Sequence, residues 1–145
     1  MMTPGLAHSV SSLCAARAGD AFDYVSSPDR LGEWALGCWG AVPCGDGVVK
    51  GTSLFDGTDS YARPIADAGH LLVDFEVGDR PEQLVRRISA RMVPGEQLGE
   101  LGSTTLVVLT AWRVRWMDDE RWRRLIVAHE AEILLLRHRI ESSAS

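Results

Sequence analysis

The sequence predicts an α+β domain: a curved antiparallel sheet of six or seven strands wrapped around one long C-terminal helix, with two short helices after the first strand. Three observations carry this. Between Leu36 and Trp112, short alternating runs of apolar and polar residues have the period of strands and are punctuated by Gly, Asp and Pro. Between Asp118 and Glu141 the apolar period becomes three and four, so Trp122, Leu125, Ile126, His129, Ile133, Leu136 and Ile140 share one helix face. The strand connections are of hairpin length, too short for parallel crossovers, which makes the sheet antiparallel with its helices on one side.

The elements follow in order. Leu6 to Ala15 reads as a first strand, with Val10, Ser12 and Cys14 on one face. Asp20 is placed to cap a short helix through A-F-D-Y-V, and Ser27-Pro28 restarts a second one that ends near Trp34. Strands are expected over Cys38 to Val42, closed by P-C-G-D-G, and over Val48 to Phe55, ending at the turn dipeptide Asp56-Gly57. Asp59 to Ile65 contains Pro64, which lacks a donor and calls for an edge or a bulge. His70 to Val77 turns Leu71, Val73, Phe75 and Val77 to one face and Asp74 and Glu76 to the other. Leu84 to Val93 puts Arg86 on the apolar face with Ile88, Ala90 and Met92, and Arg87 and Arg91 on the opposite one. Ser103 to Trp112 is apolar on both faces and is expected to be central. Asp118 and Asp119 open the long helix, where negative charge suits the dipole, and Asp20, Asp29 and Asp118 read as caps.

With 145 residues, 46% of them hydrophobic, the chain is sized for a single domain over residues 6–141, with loose ends at 1–5 and 142–145. A net charge of −5 disfavours nucleic acid and anionic membranes as partners. Lys50 is the one lysine, and the arginine excess reflects genomic base composition. Cys14, Cys38 and Cys44 fit neither a disulfide framework nor a zinc pattern, so they read as free thiols of a cytoplasmic protein. The N-terminus lacks a charged head before an apolar run, so no secretion signal is expected, and no apolar run is long enough to span a membrane. Phosphate loops, dinucleotide fingerprints and H-E-x-x-H are absent; His8, His70, His129 and His138 are scattered, and no metal or cofactor is expected.

The stretch R-A-G-D-A-F-D-Y-V-S-S-P-D-R-L-G-E-W (Arg17 to Trp34) resembles the opening of the START-like, or SRPBCC, superfamily, where a strand gives way to a phenylalanine-bearing helix and then S-D-P-x-x-L-x-x-W. The closing helix, after W-M-D-D-E-R-W and ending L-R-H-R-I-E, is similar too. The resemblance covers nearly the whole chain. It implies a helix-grip fold with an internal cavity between sheet and C-terminal helix, as in the polyketide cyclase/dehydrase group. The motifs mark packing, not a reaction; members include lipid carriers, hormone receptors and aromatase/cyclases, so fold does not give function.

Three readings follow: a binding protein for a small hydrophobic or polyketide-like molecule, a cyclase/dehydratase acting on a carbonyl compound, and a protein-interaction module. Trp34, Trp39, Phe75, Ile88, Trp112, Ile126, His129 and Ile133 are the expected cavity residues. His129 is either a core histidine bonded to a carbonyl or an acid/base group. In the enzyme reading Arg86 or Tyr61 would stabilise an enolate; the bland alternatives are a snorkelling arginine and an outward edge strand. Asp74 and Glu76 read as a solvated face, ion-paired across strands with Arg87 and Arg91. The back of the helix carries a second apolar strip, Val127, Ala131 and Leu134, which a homodimer or a neighbouring loop would cover.

Overall fold

A computed structural model describes residues 5–144. Its elements are β1 (Ala7–Cys14), α1 (Ala18–Ser26), two 3-10 turns (Pro28–Glu33 and Leu36–Cys38), β2 (Trp39–Gly45), β3 (Val48–Thr52), β4 (Asp59–Asp67), β5 (Leu72–Gly78), β6 (Val85–Pro94), a further 3-10 turn (Gly95–Leu98), β7 (Thr105–Trp112) and α2 (Asp119–Ala144). The seven strands form one sheet in the order β1-β7-β6-β5-β4-β3-β2, and every neighbouring pair is antiparallel. This is the expected helix-grip architecture. β1 and β2 lie at opposite edges, so α1 and the first two 3-10 turns carry the chain across the sheet.

Local chemistry explains most boundaries. Asp46 and Gly47 both have positive φ (56° and 74°), the two-residue hairpin geometry that lets β2 turn into β3. Asp118 caps α2 by accepting the Arg121 N–H on Oδ1 at 2.8 Å. Pro64 fits because the β3 ladder ends at Ala62, so its missing N–H has no strand to serve. β7 lies between β1 and β6, as its two apolar faces require.

Several expectations are corrected. α1 begins at Ala18, ahead of Asp20, and neither Asp20 nor Ser27 makes a capping bond. The helix expected from Pro28 is a 3-10 turn. Asp56-Gly57 belongs to a wider loop, 53–58, rather than a two-residue hairpin. His70 lies in a turn, its Nδ1 2.9 Å from Asp67 Oδ2, and β5 starts only after Leu71, at φ 51°. The C-terminal helix runs through Ser142 to Ala144, part of the expected loose end. Of the expected N-terminal lead, residues 1–4 lie outside the described residues.

α2 divides into two halves. Its C-terminal half packs Ile133, Leu136 and Ile140 into a continuous core with Val73, Phe75, Ala90, Met92, Val107 and Leu109. Its N-terminal half stands off the sheet and leaves a cavity. Val127 and Leu134, on its outer side, are 67% and 64% exposed. Among the described residues no helix is long and apolar enough to cross a membrane.

Candidate functional site

The cavity encloses about 790 Å³ between the sheet and the first half of α2, within the range of small-molecule sites. Its apolar walls are Leu31 and Trp34 from the first 3-10 turn and its end, Phe75 of β5, Ile88 of β6, Leu109 of β7, and Leu125 of α2. Trp34 and Phe75 meet edge to face at 5.8 Å, the arrangement favoured by ring quadrupoles. Loop residues Phe55 and Asp56 and the 76% exposed Trp116 form the rim. A smaller recess of about 210 Å³ shares Phe55, Asp56, Arg87, Arg121 and Leu125 with the main cavity.

Four of the expected lining residues are there: Trp34, Phe75, Ile88 and His129. Four are not. Trp112 lies on the opposite face of β7 from buried Ala111, because strand side chains alternate. Trp39 is half-buried in the edge strand β2. Ile126 flanks α2, one position off the face that carries Leu125 and His129. Ile133 points inward but into packed core, below the cavity floor.

The proposed enolate stabilisers are also outside. Tyr61 and Arg63 sit on the outer face of β4, while Ser60 and Ala62 line the cavity. Tyr61 lies beneath Lys50, and Arg63 Nε donates to Glu76 Oε1 at 2.9 Å. Arg86 faces out, its Nη1 3.5 Å from Asp74 Oδ2. The reason is a β-bulge: Phe75 pairs with Ile88, but Glu76 pairs with Arg86, leaving Arg87 as the extra residue. The bulge reverses the alternation, so Val85 and Arg87 line the cavity in place of Arg86. No Gly or Pro marks it, and strict alternation therefore chose the wrong arginine. Asp74 and Glu76 do face solvent and pair across strands, with Arg86 and Arg63 rather than Arg87 and Arg91.

His129 is 2% exposed and has no bond to a carbonyl. Its Nδ1 is buried with no hydrogen-bond partner, and its Nε2 is 3.9 Å from Glu132 Oε1. Burial, then His8 at a ring distance of 5.8 Å, then Arg87 hold its pKa down to about 4, so the imidazole is neutral at pH 7. Burial raises the Glu132 carboxyl to about 7, although the backbone N–H of Leu36 donates to its Oε2 at 2.8 Å and that of Gly37 also favours the anion. A neutral base and a carboxyl poised near neutrality therefore share one wall. Glu132 was legible in principle: three residues after His129, it lies on the same helix face.

Arg87 contributes a guanidinium whose Nη1 is buried and unpartnered. Burial, then repulsion by Arg121, lowers its pKa to about 10. Trp34 Nε1 is a second buried donor without an acceptor. Elsewhere, burial raises the thiol of Cys14 to about 11 and also raises that of Cys38, which makes both poor nucleophiles. Among the described residues no group of three or more His, Cys, Asp or Glu side chains is placed to hold a metal ion.

Sheet, gripped helix and cavity together define a helix-grip protein. The comparisons with known proteins agree at that level. No family model matches the chain, and no curated protein matches its sequence. Among solved structures, it is similar to the Zhui aromatase/cyclase from Streptomyces sp. R1128 (12% identity, 93% of each chain, TM-score 0.65). It is similar to the di-domain ARO/CYC BexL from the BE-7585A biosynthetic pathway (15% identity, 93% of this chain and 46% of that one, TM-score 0.68). It is also similar to the Aha1 dimer from Colwellia psychrerythraea (14% identity, 97% of this chain and 100% of that one, TM-score 0.67). At these identities the likeness carries the fold alone.

Proposed function

We propose that this protein is a START-like domain that binds a small, largely apolar or polyketide-like molecule in the cavity between sheet and α2. The observation that carries this reading is the open volume of about 790 Å³ where a solid core would otherwise lie. Trp34, Phe75, Ile88, Leu109 and Leu125 supply apolar contact area. An unfilled interior also weighs against a pure interaction module, which would need only its surface. Native mass spectrometry of freshly purified protein tests the reading. The expected spectrum contains a co-purified small molecule that is lost on unfolding; a protein that arrives empty and takes up no hydrophobic ligand would overturn it. The same spectra read assembly. The exposed strip at Val127 and Leu134 supports a homodimer, and a monomer at all concentrations removes it.

A second reading is favoured by one observation: His129 and Glu132 bring a neutral imidazole and a carboxyl of raised pKa to the same wall. In a cyclase or dehydratase acting on a carbonyl compound, His129 would take a proton from carbon next to the carbonyl, and protonated Glu132 would return one to oxygen. The similarity to two aromatase/cyclases of this fold supports the substrate class. His129→Ala is expected to lower turnover of such a compound by 10²–10⁴-fold, about the usual weight of general acid–base catalysis, with the fold retained by circular dichroism. Unchanged turnover would remove His129 from the mechanism.

A further inference from the structure

Building on the cavity-binding reading, we infer that the ligand carries an anionic group, most simply a carboxylate, held by Arg87 at the mouth of the cavity, with its apolar body directed inward. The β6 bulge turns Arg87 inward while Arg86 stays in solvent. Arg87 lines both the main cavity and the outer recess, so it stands where the two join. Among the described residues no carboxylate lies within ion-pair distance of it. Each acid lining the cavity can be considered in turn. Asp56 is engaged by Thr58, whose N–H and Oγ1 donate to it at 3.1 and 2.6 Å. Asp59 is paired with Lys50 at 3.6 Å. Glu132 accepts from the Leu36 N–H. Asp79 is exposed, and of the two further acids of the recess Asp118 accepts from the Arg121 N–H while Glu120 is paired with Arg124.

A half-buried guanidinium with one nitrogen sealed from solvent and no counterion is costly, and a second cation beside it adds to the cost. Arg121 faces the same recess and repels Arg87. An anion entering between them gains from both and can take two parallel bonds from the guanidinium fork. The unpartnered N–H of Trp34 can donate to an acceptor on the ligand: its ring abuts Phe75, which pairs with Ile88, the neighbour of Arg87. The unpartnered guanidinium nitrogen of Arg87 thus stands where cavity and recess join, with the apolar side chains of Trp34, Phe75 and Leu109 in the main cavity. This favours an aryl or alkyl carboxylic acid entering body first.

Two probe pairs of matched shape test this by isothermal titration calorimetry: 2-naphthoate against 2-naphthamide, and decanoate against decanamide. The native protein is expected to bind an acid 10- to 100-fold more tightly than its amide, the range of a charge-assisted hydrogen bond. Arg87→Met should abolish that preference while leaving amide affinity within about threefold. Arg87→Lys, which keeps the charge but loses the fork, should retain part of it; circular dichroism confirms that each variant folds. Equal binding of acid and amide by the native protein would overturn the anion inference and leave the cavity reading standing. Failure of all four probes to bind would overturn the cavity reading and the inference with it. A preference that survives Arg87→Met would overturn the role of Arg87.

Discussion

Leu136→Ala is expected to lower the unfolding free energy by about 3–4 kcal/mol, whereas Leu125→Ala, three turns earlier on the same helix, should cost about 1 kcal/mol or less. Leu136 is 0% exposed and surrounded by close-packed side chains. Truncating it forfeits the transfer energy of the lost carbons and leaves a hole that a rigid core closes only in part. Leu125 already borders open volume and is only partly buried. Its truncation enlarges an existing space and breaks fewer contacts. Urea denaturation of the two variants reads the difference directly. Equal costs would mean that the N-terminal half of α2 is packed like the C-terminal half and that the cavity is closed in solution.

The second large effect is a pair of opposed pH dependences. Glu132 has a folded pKa near 7, above its ordinary 4.5. Its contribution is therefore complete below about pH 4.5 and is lost as pH rises through 7. His129 has a folded pKa near 4, below its ordinary 6.5. Its contribution is present above 6.5 and is lost as pH falls toward 4. Each displacement corresponds to about 3 kcal/mol, so between pH 4.5 and 6.5 the two slopes offset each other. Separating them is the test. Glu132→Gln should leave stability rising by about 3 kcal/mol from pH 4 to 6.5, and His129→Gln should leave it falling by about the same amount from pH 4.5 to 7. Denaturation midpoints across that range check both. If both variants track the native protein, the two groups are solvated in the folded state and the site as described does not exist.

These predictions rest on features of different legibility. The long helix, the antiparallel strands and their order along the chain were readable because each depends on local pattern: period two, period three to four, and turn residues at the breaks. Asp118 announced its cap and Pro64 its unpaired edge for the same reason. His129 was readable as an inward residue, since helical spacing alone puts it in line with Leu125 and Ile133.

The candidate site was less legible, and particular residues show why. A bulge opposite Glu76 costs the sheet one unpaired residue and leaves no mark in composition, yet it exchanges Arg86 for Arg87 and so changes the chemistry of the interior. Tyr61 and Arg63 share one face of β4, and alternation alone does not say which face is inward; the register gives the inward positions to Ser60 and Ala62. Ile133 and Leu125 belong to one helical stripe, and no periodicity tells which faces packed core and which faces open volume. That depends on how far α2 stands from the sheet along its length.

The sequence by itself determined the class of the fold, the gripped helix and the inward stripe that carries His129, because these follow from side-chain periodicity and backbone conformation over a few residues. Only the tertiary structure decided that the first half of the helix covers a cavity, that Arg87 enters it without a counterion, and that Glu132 joins His129 there beneath the amides of Leu36 and Gly37. Those are facts of register, distance and burial between segments far apart in the chain, and the energies that set them arise only once the segments have met.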